Sequence, residues 1–152
     1  MKTIGLRVSP TEITYAVYDS EVERIESVDE IIVPRSMSVP QSLKYIRNTV
    51  LDVIREYGVT HAGIRTIEPM AQSISVERVQ IEGVIQEALA SSSVEKYYSG
   101  PIATIAARNS MPRDDFKKCI GKEGEYPRVA DWKRHSEKEK EAILTALGAL
   151  NA

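Results

Sequence analysis

The sequence has one cysteine, one phenylalanine and one tryptophan among its 152 residues, and it has no long apolar run. The lone Cys119 excludes an internal disulfide framework and a cysteine-based zinc cluster. A membrane span needs about 18 or more uninterrupted apolar residues, and the N-terminal segment is broken by charge, unlike a signal peptide. We therefore expect a soluble, cytoplasmic protein without a membrane partner.

Positive and negative charges are nearly balanced in the sequence. Twenty Lys and Arg oppose 22 Asp and Glu, which leaves a formal charge of −2. The molecule as a whole is not a polycation, so any nucleic-acid surface must be a local patch. A hydrophobic fraction of 42% argues against a disordered chain, and the length favours a single domain over 1–152.

Few residues indicate a nucleotide, metal or nucleophile site. The chain has no P-loop and no Gly-x-Gly-x-x-Gly motif, and its eight glycines are scattered. His61 and His135 lie far apart, so a structural role is favoured over metal binding or base catalysis. Lys117 and Lys118 could lower the pKa of Cys119, but an ordinary thiol is the favoured interpretation.

The N-terminal third alternates with period two. Apolar side chains alternate over 3–8 and again over 13–18, and a third run extends over about 22–33. Turn-forming residues separate these runs. The pattern predicts three strands in an antiparallel meander.

The period changes after Pro40, which suits the first turn of a helix that Gly58 ends. Ser136 is a predicted N-cap for the last helix. Residues 112–135 show no clear period and are expected to be irregular. The remaining pattern predicts these elements: helices over about 43–57, 73–90, 102–108 and 136–150, and strands over 61–67 and 94–98. This order predicts an α/β fold, a mixed sheet with helices on both faces.

Cations and aromatic residues are interleaved in the segment 112–140. It holds nine Lys or Arg and seven acids, together with Phe116, Tyr126 and Trp132. Such a composition suits phosphate contacts combined with base stacking. It equally suits aromatic anchors for a long loop with solvated charges, or contact with a protein partner. The nucleic-acid candidates in this segment are Lys117, Lys118, Trp132 and Arg134.

The element order resembles that of RuvC-type Holliday-junction resolvases of the ribonuclease H-like superfamily. Short motifs carry the resemblance: Ile-Gly-Leu-Arg-Val-Ser at 4–9, Val-Ile-Arg-Glu-Tyr-Gly at 53–58, Thr-His-Ala-Gly-Ile-Arg at 60–65, and Gly-Val-Ile-Gln-Glu-Ala-Leu at 83–89. The resemblance implies a βββαβαβα core with an additional C-terminal helix. It also implies that a homodimer could form through the helix at 73–90.

The resemblance further implies a metal-dependent nuclease, in which about four carboxylates hold two Mg²⁺ or Mn²⁺ ions. The family's acidic positions fall on Arg7, Arg65, Lys138 and Glu141. Only Glu141 keeps a carboxylate, and the three cations would repel a metal ion. We therefore expect a degenerate catalytic site that holds no metal cofactor. A rearranged acidic set of Glu68, Glu137 and Glu141 is the alternative for an active nuclease.

Arg7 and Arg65 are the most informative of these positions. If their strands are neighbours, the two guanidinium groups approach each other and each needs an anion. Glu141, Glu68 or Glu137 could supply one, and so could the phosphate of a ligand.

The favoured hypothesis is a catalytically degenerate domain that binds a nucleic acid, branched or single-stranded, or a protein partner without turnover. The alternatives are a nuclease with rearranged carboxylates and a structural or regulatory subunit.

Overall fold

The computed structural model describes all 152 residues. Five strands form one sheet: β1 (Lys2–Val8), β2 (Glu12–Asp19), β3 (Arg24–Ile32), β4 (His61–Arg65) and β5 (Lys96–Gly100). Five α-helices accompany it: α1 (Val39–Tyr57), α2 (Val76–Ala90), α3 (Ile102–Arg108), α4 (Arg113–Ile120) and α5 (Glu137–Gly148). Two short 3₁₀ helices cover Trp132–Arg134 and Ala149–Asn151. None of the helices combines the length and apolar character that a membrane crossing requires.

The strand order is β3-β2-β1-β4-β5. β1, β2 and β3 form the predicted antiparallel meander, whereas β4 joins β1 and β5 joins β4 in parallel. The mixed sheet therefore matches the predicted α/β class. β1 and β4 are central, and their carboxyl ends meet at the same edge.

Both faces of the sheet are covered by helices, as the alternating pattern predicted. On one face, α1 and α2 pack against the alternating apolar residues of β1, including Ile4 and Leu6, which are fully buried. On the other face, α3, α4 and α5 form a second core around Phe116 and Ile143. The two cores are separated by the sheet.

The helix ends follow local chemistry. Gly58 ends α1 in the left-handed conformation (φ 66°, ψ 44°), as the sequence predicted. Ser136 caps α5 and forms a capping box with Glu139.

The prediction of an irregular segment over 112–135 is wrong for 113–120, which form α4. Its apolar residues Phe116, Cys119 and Ile120 have helical spacing, but the run is too short to establish a period.

Helix α5 is buried on all sides over most of its length. Every residue from 140 to 149 is buried. One cause is close contact with the sheet at Gly5 and Gly63, which are register partners in β1 and β4. A Cβ atom at Gly5 would overlap the backbone of Ala142 and Ala146. The other cause is the segment formed by α3 and α4, which covers the outer side of α5.

Candidate functional site

Two arginines lie side by side at the carboxyl ends of the central parallel strands. Arg7 of β1 and Arg65 of β4 are direct register partners. Adjacent strands are about 4.8 Å apart, and residues in register point to the same face. In open α/β sheets this edge is where ligands bind. The sequence predicted that these two guanidinium groups would approach each other, and the geometry brings them together.

Helix α5 supplies the anion that neutralises Arg7. The Nε atom of Arg7 donates to the carboxylate of Glu141, whose side chain is only 5% exposed. One turn earlier, Lys138 pairs with Glu12 of β2. The hydrogen bond from Lys138, with a second from Thr11, lowers the pKa of Glu12 to about 2. Two ion pairs therefore fix the first half of α5 to β1 and β2.

Arg65 is almost completely buried, with a side chain 9% exposed. Its Nη2 atom lies 3.2 Å from Oε1 of Glu68, and its Nη1 atom donates to the carbonyl oxygen of Thr66 at 2.6 Å. Its Nε–H group is buried without a hydrogen-bond partner. Burial lowers the pKa of Arg65, and the nearby carboxylate of Glu141 opposes that shift. The guanidinium thus keeps one unused donor.

Two further arginine–glutamate pairs lie beside Arg65. Arg113 at the start of α4 is 3.9 Å from Glu68, whose Oε1 also accepts from the backbone N–H of Ile102 at 3.0 Å. Arg78 of α2 is 3.2 Å from the buried carboxylate of Glu82. That carboxylate also accepts from the backbone N–H of residue 67 at 2.8 Å. The charges of Arg78, Glu68, Glu141 and Arg7 all act on the pKa of Arg65.

We call this group the arginine cluster, and its members are Arg7, Arg65, Arg78, Arg113, Glu68, Glu82 and Glu141. Four guanidinium groups face three carboxylates, so one positive charge is in excess. The planar guanidinium group of arginine matches the geometry of a phosphate. The Nε–H of Arg65 has no partner in the protein, so it could donate to a phosphate if the side chains around it moved when the ligand bound. The cluster therefore has the chemistry of an anion site.

The same residues do not fit a metal centre. No three His, Cys, Asp or Glu side chains lie close enough together to hold a metal ion. The alternative set of Glu68, Glu137 and Glu141 is wrong as a ligand group, because these carboxylates are not gathered at one point. Glu141 contacts Arg7 and Glu68 contacts Arg65, while Glu137 lines a separate pocket. Guanidinium groups occupy the oxygens that a metal would need.

The aromatic residues of the segment 112–140 serve the core. Phe116 is fully buried and Trp132 is 4% exposed. The indole Nε1–H of Trp132 donates to the carbonyl oxygen of Cys119 at 2.9 Å, and the ring centroid lies 5.2 Å from that of Tyr126. The prediction of Trp132 as a stacking platform for a base is wrong, because its ring faces the interior. The anchoring interpretation of these aromatics is confirmed.

The other candidates of that segment remain on the surface. Lys117, Lys118 and Arg134 are exposed, and none of them belongs to the arginine cluster. Cys119 is buried, which raises the pKa of its thiol. His61 and His135 do not meet: the first contacts the Thr60 hydroxyl and the second contacts Glu139.

Sequence reasoning missed several members of the site. Arg78, Glu82 and Arg113 were not predicted. Only Arg78 and Glu82 carried a local signal, since they are four residues apart on one helix and of opposite charge. Arg113 reaches the site through a tertiary contact with Glu68, which sequence spacing does not reveal.

Comparison with solved structures supports the fold assignment. The structure of RuvC from Thermus thermophilus superposes with a TM-score of 0.71 at 12% sequence identity, covering 97% of this chain and 92% of the other. The same protein in complex with a Holliday junction substrate gives 0.65 at 15% identity with the same coverage. A fowlpox virus Holliday junction resolvase gives 0.49 at 13% identity, covering 99% and 96%. No protein-family model and no curated protein matches the sequence.

The class that these observations define is the α/β, ribonuclease H-like fold. Within that class the chain has the RuvC-type arrangement over nearly its whole length.

Proposed function

We propose that this protein binds nucleic acid at the edge of the sheet where β1 and β4 end, and that it does so without hydrolysing the phosphodiester. The observation that carries the proposal is the pairing of Arg7 with Arg65 in register. At the positions where the resemblance to resolvases leads us to expect metal-binding carboxylates, this chain has guanidinium groups. Those groups attract a phosphate directly.

The excess positive charge of the arginine cluster favours a phosphate ligand over a cation. Arg113 is the member best placed to reach a ligand, because its side chain is 50% exposed and its pair with Glu68 is loose at 3.9 Å. Lys117 lies one turn further along α4 and is also exposed. A strand of nucleic acid crossing this edge would meet Arg113 first and Arg65 behind it. Branched or single-stranded nucleic acid is the proposed ligand.

The experiment is a fluorescence anisotropy titration of labelled four-way junction, duplex and single-stranded DNA in EDTA at several salt concentrations. We expect log K to fall linearly with log salt, because phosphate contacts release counterions. Arg113→Gln should weaken binding several-fold and reduce the salt slope by about one.

The matched control is Arg47→Gln. Arg47 also forms an exposed arginine–glutamate pair, with Glu87 of α2, but it lies on the opposite face of the sheet. Its substitution should leave the affinity unchanged. Absence of salt-dependent binding, or an equal effect of both substitutions, would contradict the proposal.

A second proposal concerns self-association, because several exposed apolar side chains lie in the first turn of α2 and just before it. Met70 is 92% exposed, Ile74 66%, Val76 65% and Val79 44%. Contiguous exposed apolar residues are typical of protein interfaces. We propose a homodimer through this region at the start of α2, as the resemblance to resolvases implies. Sedimentation velocity tests it: a concentration-dependent dimer that Val79→Lys abolishes supports the proposal, and a monomer at all concentrations contradicts it.

A further inference from the structure

A second cationic pocket lies beside the N-terminus of α5, and no member of the arginine cluster lines it. It has a volume of about 190 Å³, which is several times the roughly 30 Å³ occupied by one water molecule. Its lining residues are Ile120, Lys122, Lys133, His135, Ser136, Glu137 and Lys140. Three lysines and one glutamate therefore line the pocket.

The main observation is the side chain of Lys140, which is only 1% exposed. Its Nζ atom donates to the carbonyl oxygen of Gly121 at 2.9 Å and lies 5.7 Å from the ring centroid of Trp132. No carboxylate lies within ion-pair distance of it, whereas Arg65, the other buried cation of this fold, lies 3.2 Å from Glu68. Burying an ammonium group without an anion costs free energy, and the protein itself supplies no counter-ion for Lys140.

The second observation concerns the hydrogen bonds of the backbone N–H groups in the first turn of α5. The backbone N–H of Glu139 is used by the capping box with Ser136, and the N–H of Lys140 donates to the carbonyl of Ser136. The N–H groups of Glu137 and Lys138 donate to no group of the chain. Of these two free donors at the positive end of a 12-residue helix, the N–H of Glu137 belongs to a residue that lines the same pocket as Lys140, and the N–H of Lys138 follows it in the first turn.

The lysines at the rim complete the arrangement. Lys122 is exposed and has no ion-pair partner, while Lys133 is held only by an exposed contact of 3.3 Å with Glu125. We propose that this pocket binds a phosphate group, with Lys140 as the buried counter-charge, the free N–H groups of α5 as hydrogen-bond donors, and Lys122 and Lys133 closing over it. The phosphate could belong to a nucleic-acid backbone or to a phosphate monoester, since the recognising chemistry is the same. The site is independent of the proposed arginine-cluster function.

The test follows the amide resonances of Glu137 and Lys138 by heteronuclear NMR. Sodium phosphate is titrated against sodium chloride at constant ionic strength, and a short oligothymidylate is titrated separately. We expect saturable shifts of these two amides with at least one of the two phosphate probes. Shifts with the oligothymidylate assign the site to a nucleic-acid phosphate, and shifts with inorganic phosphate alone assign it to a monoester.

Variants separate binding from a structural role of the lysines. Lys122→Gln combined with Lys133→Gln should weaken the phosphate affinity roughly tenfold or more, because charge-assisted hydrogen bonds are lost. Glu137→Gln should strengthen it several-fold, since it removes the only opposing charge at the rim. Lys96→Gln, an exposed lysine of β5, is the matched control. Lys140→Met should abolish phosphate binding. If that variant does not fold, the double variant of the exposed residues Lys122 and Lys133 still tests the proposal.

Two results would overturn the inference: no saturable shift with either probe, or an unchanged affinity in the double variant. Arg113→Gln distinguishes this site from the arginine cluster. It should leave the inorganic phosphate titration unaltered while weakening the binding of DNA.

Discussion

Replacing Glu141 with glutamine tests the ion pair on which the arginine cluster depends. Glu141 is 5% exposed and its partner Arg7 is 23% exposed. Removing one member of a buried pair costs about 3–5 kcal/mol, because the other charge is left uncompensated. Arg7 keeps some contact with water, and glutamine can still accept one hydrogen bond, so we expect a smaller loss of about 2–3 kcal/mol. For a domain of this size, that corresponds to a decrease in Tm of roughly 5–10 °C.

The assay is urea unfolding followed by circular dichroism at pH 7, with Glu87→Gln as the matched control. Glu87 also pairs with an arginine, Arg47, but its side chain is 53% exposed, so water screens the pair and its loss should cost far less than the loss of Glu141. Adding Arg7→Met to Glu141→Gln should recover part of the lost stability, because the unpaired guanidinium is then removed. Equal losses for Glu141→Gln and Glu87→Gln would refute this reasoning.

Two further predictions concern packing and pH. Gly5→Ala should destabilise the fold by about 3 kcal/mol, because the added Cβ atom would overlap the backbone of α5. Gly83→Ala on α2 should stabilise the fold by about 0.5–1 kcal/mol, because a Cβ atom there meets open space and alanine favours the helix more than glycine does. Thermal unfolding of both variants checks that the two changes in stability have opposite signs. The pKa of Glu12 is lowered from 4.5 to about 2, so its pair with Lys138 stabilises the protein above about pH 4.5 and this contribution is lost as the pH falls toward 2. Urea unfolding between pH 6 and 3 should therefore show a smaller acid-induced loss in Lys138→Gln than in the unaltered protein, and parallel losses would contradict that assignment.

Much of the fold could be predicted because the pattern of apolar residues changes period where the chain changes element. The alternation over 3–8 and 13–18 predicted β1 and β2, and Gly58 and Ser136 predicted helix ends that the structure has. The burial of α5 on all sides could not be predicted. It depends on glycines in two strands distant in sequence, which bring the helix close to the sheet.

The candidate site could be predicted only in its centre. The approach of Arg7 and Arg65 follows from the pairing of two central strands, and Glu141 and Glu68 were among the predicted anions. The pairs Arg78–Glu82 and Arg113–Glu68 depend on how α2 and α4 pack against the ends of the strands. The spacing of apolar residues in the sequence does not predict that packing. Trp132 shows the opposite error: an aromatic residue among cations suits stacking by composition, but its indole N–H has a buried carbonyl partner.

The most direct test of the central claim is a gel series in which labelled junction, duplex and single-stranded DNA and an RNA–DNA hybrid are incubated with the protein in Mn²⁺ and in EDTA. The account predicts a shifted, uncut band in both conditions, with a junction or single strand preferred. Metal-dependent cleavage that the purified Glu141→Gln variant lacks would contradict it.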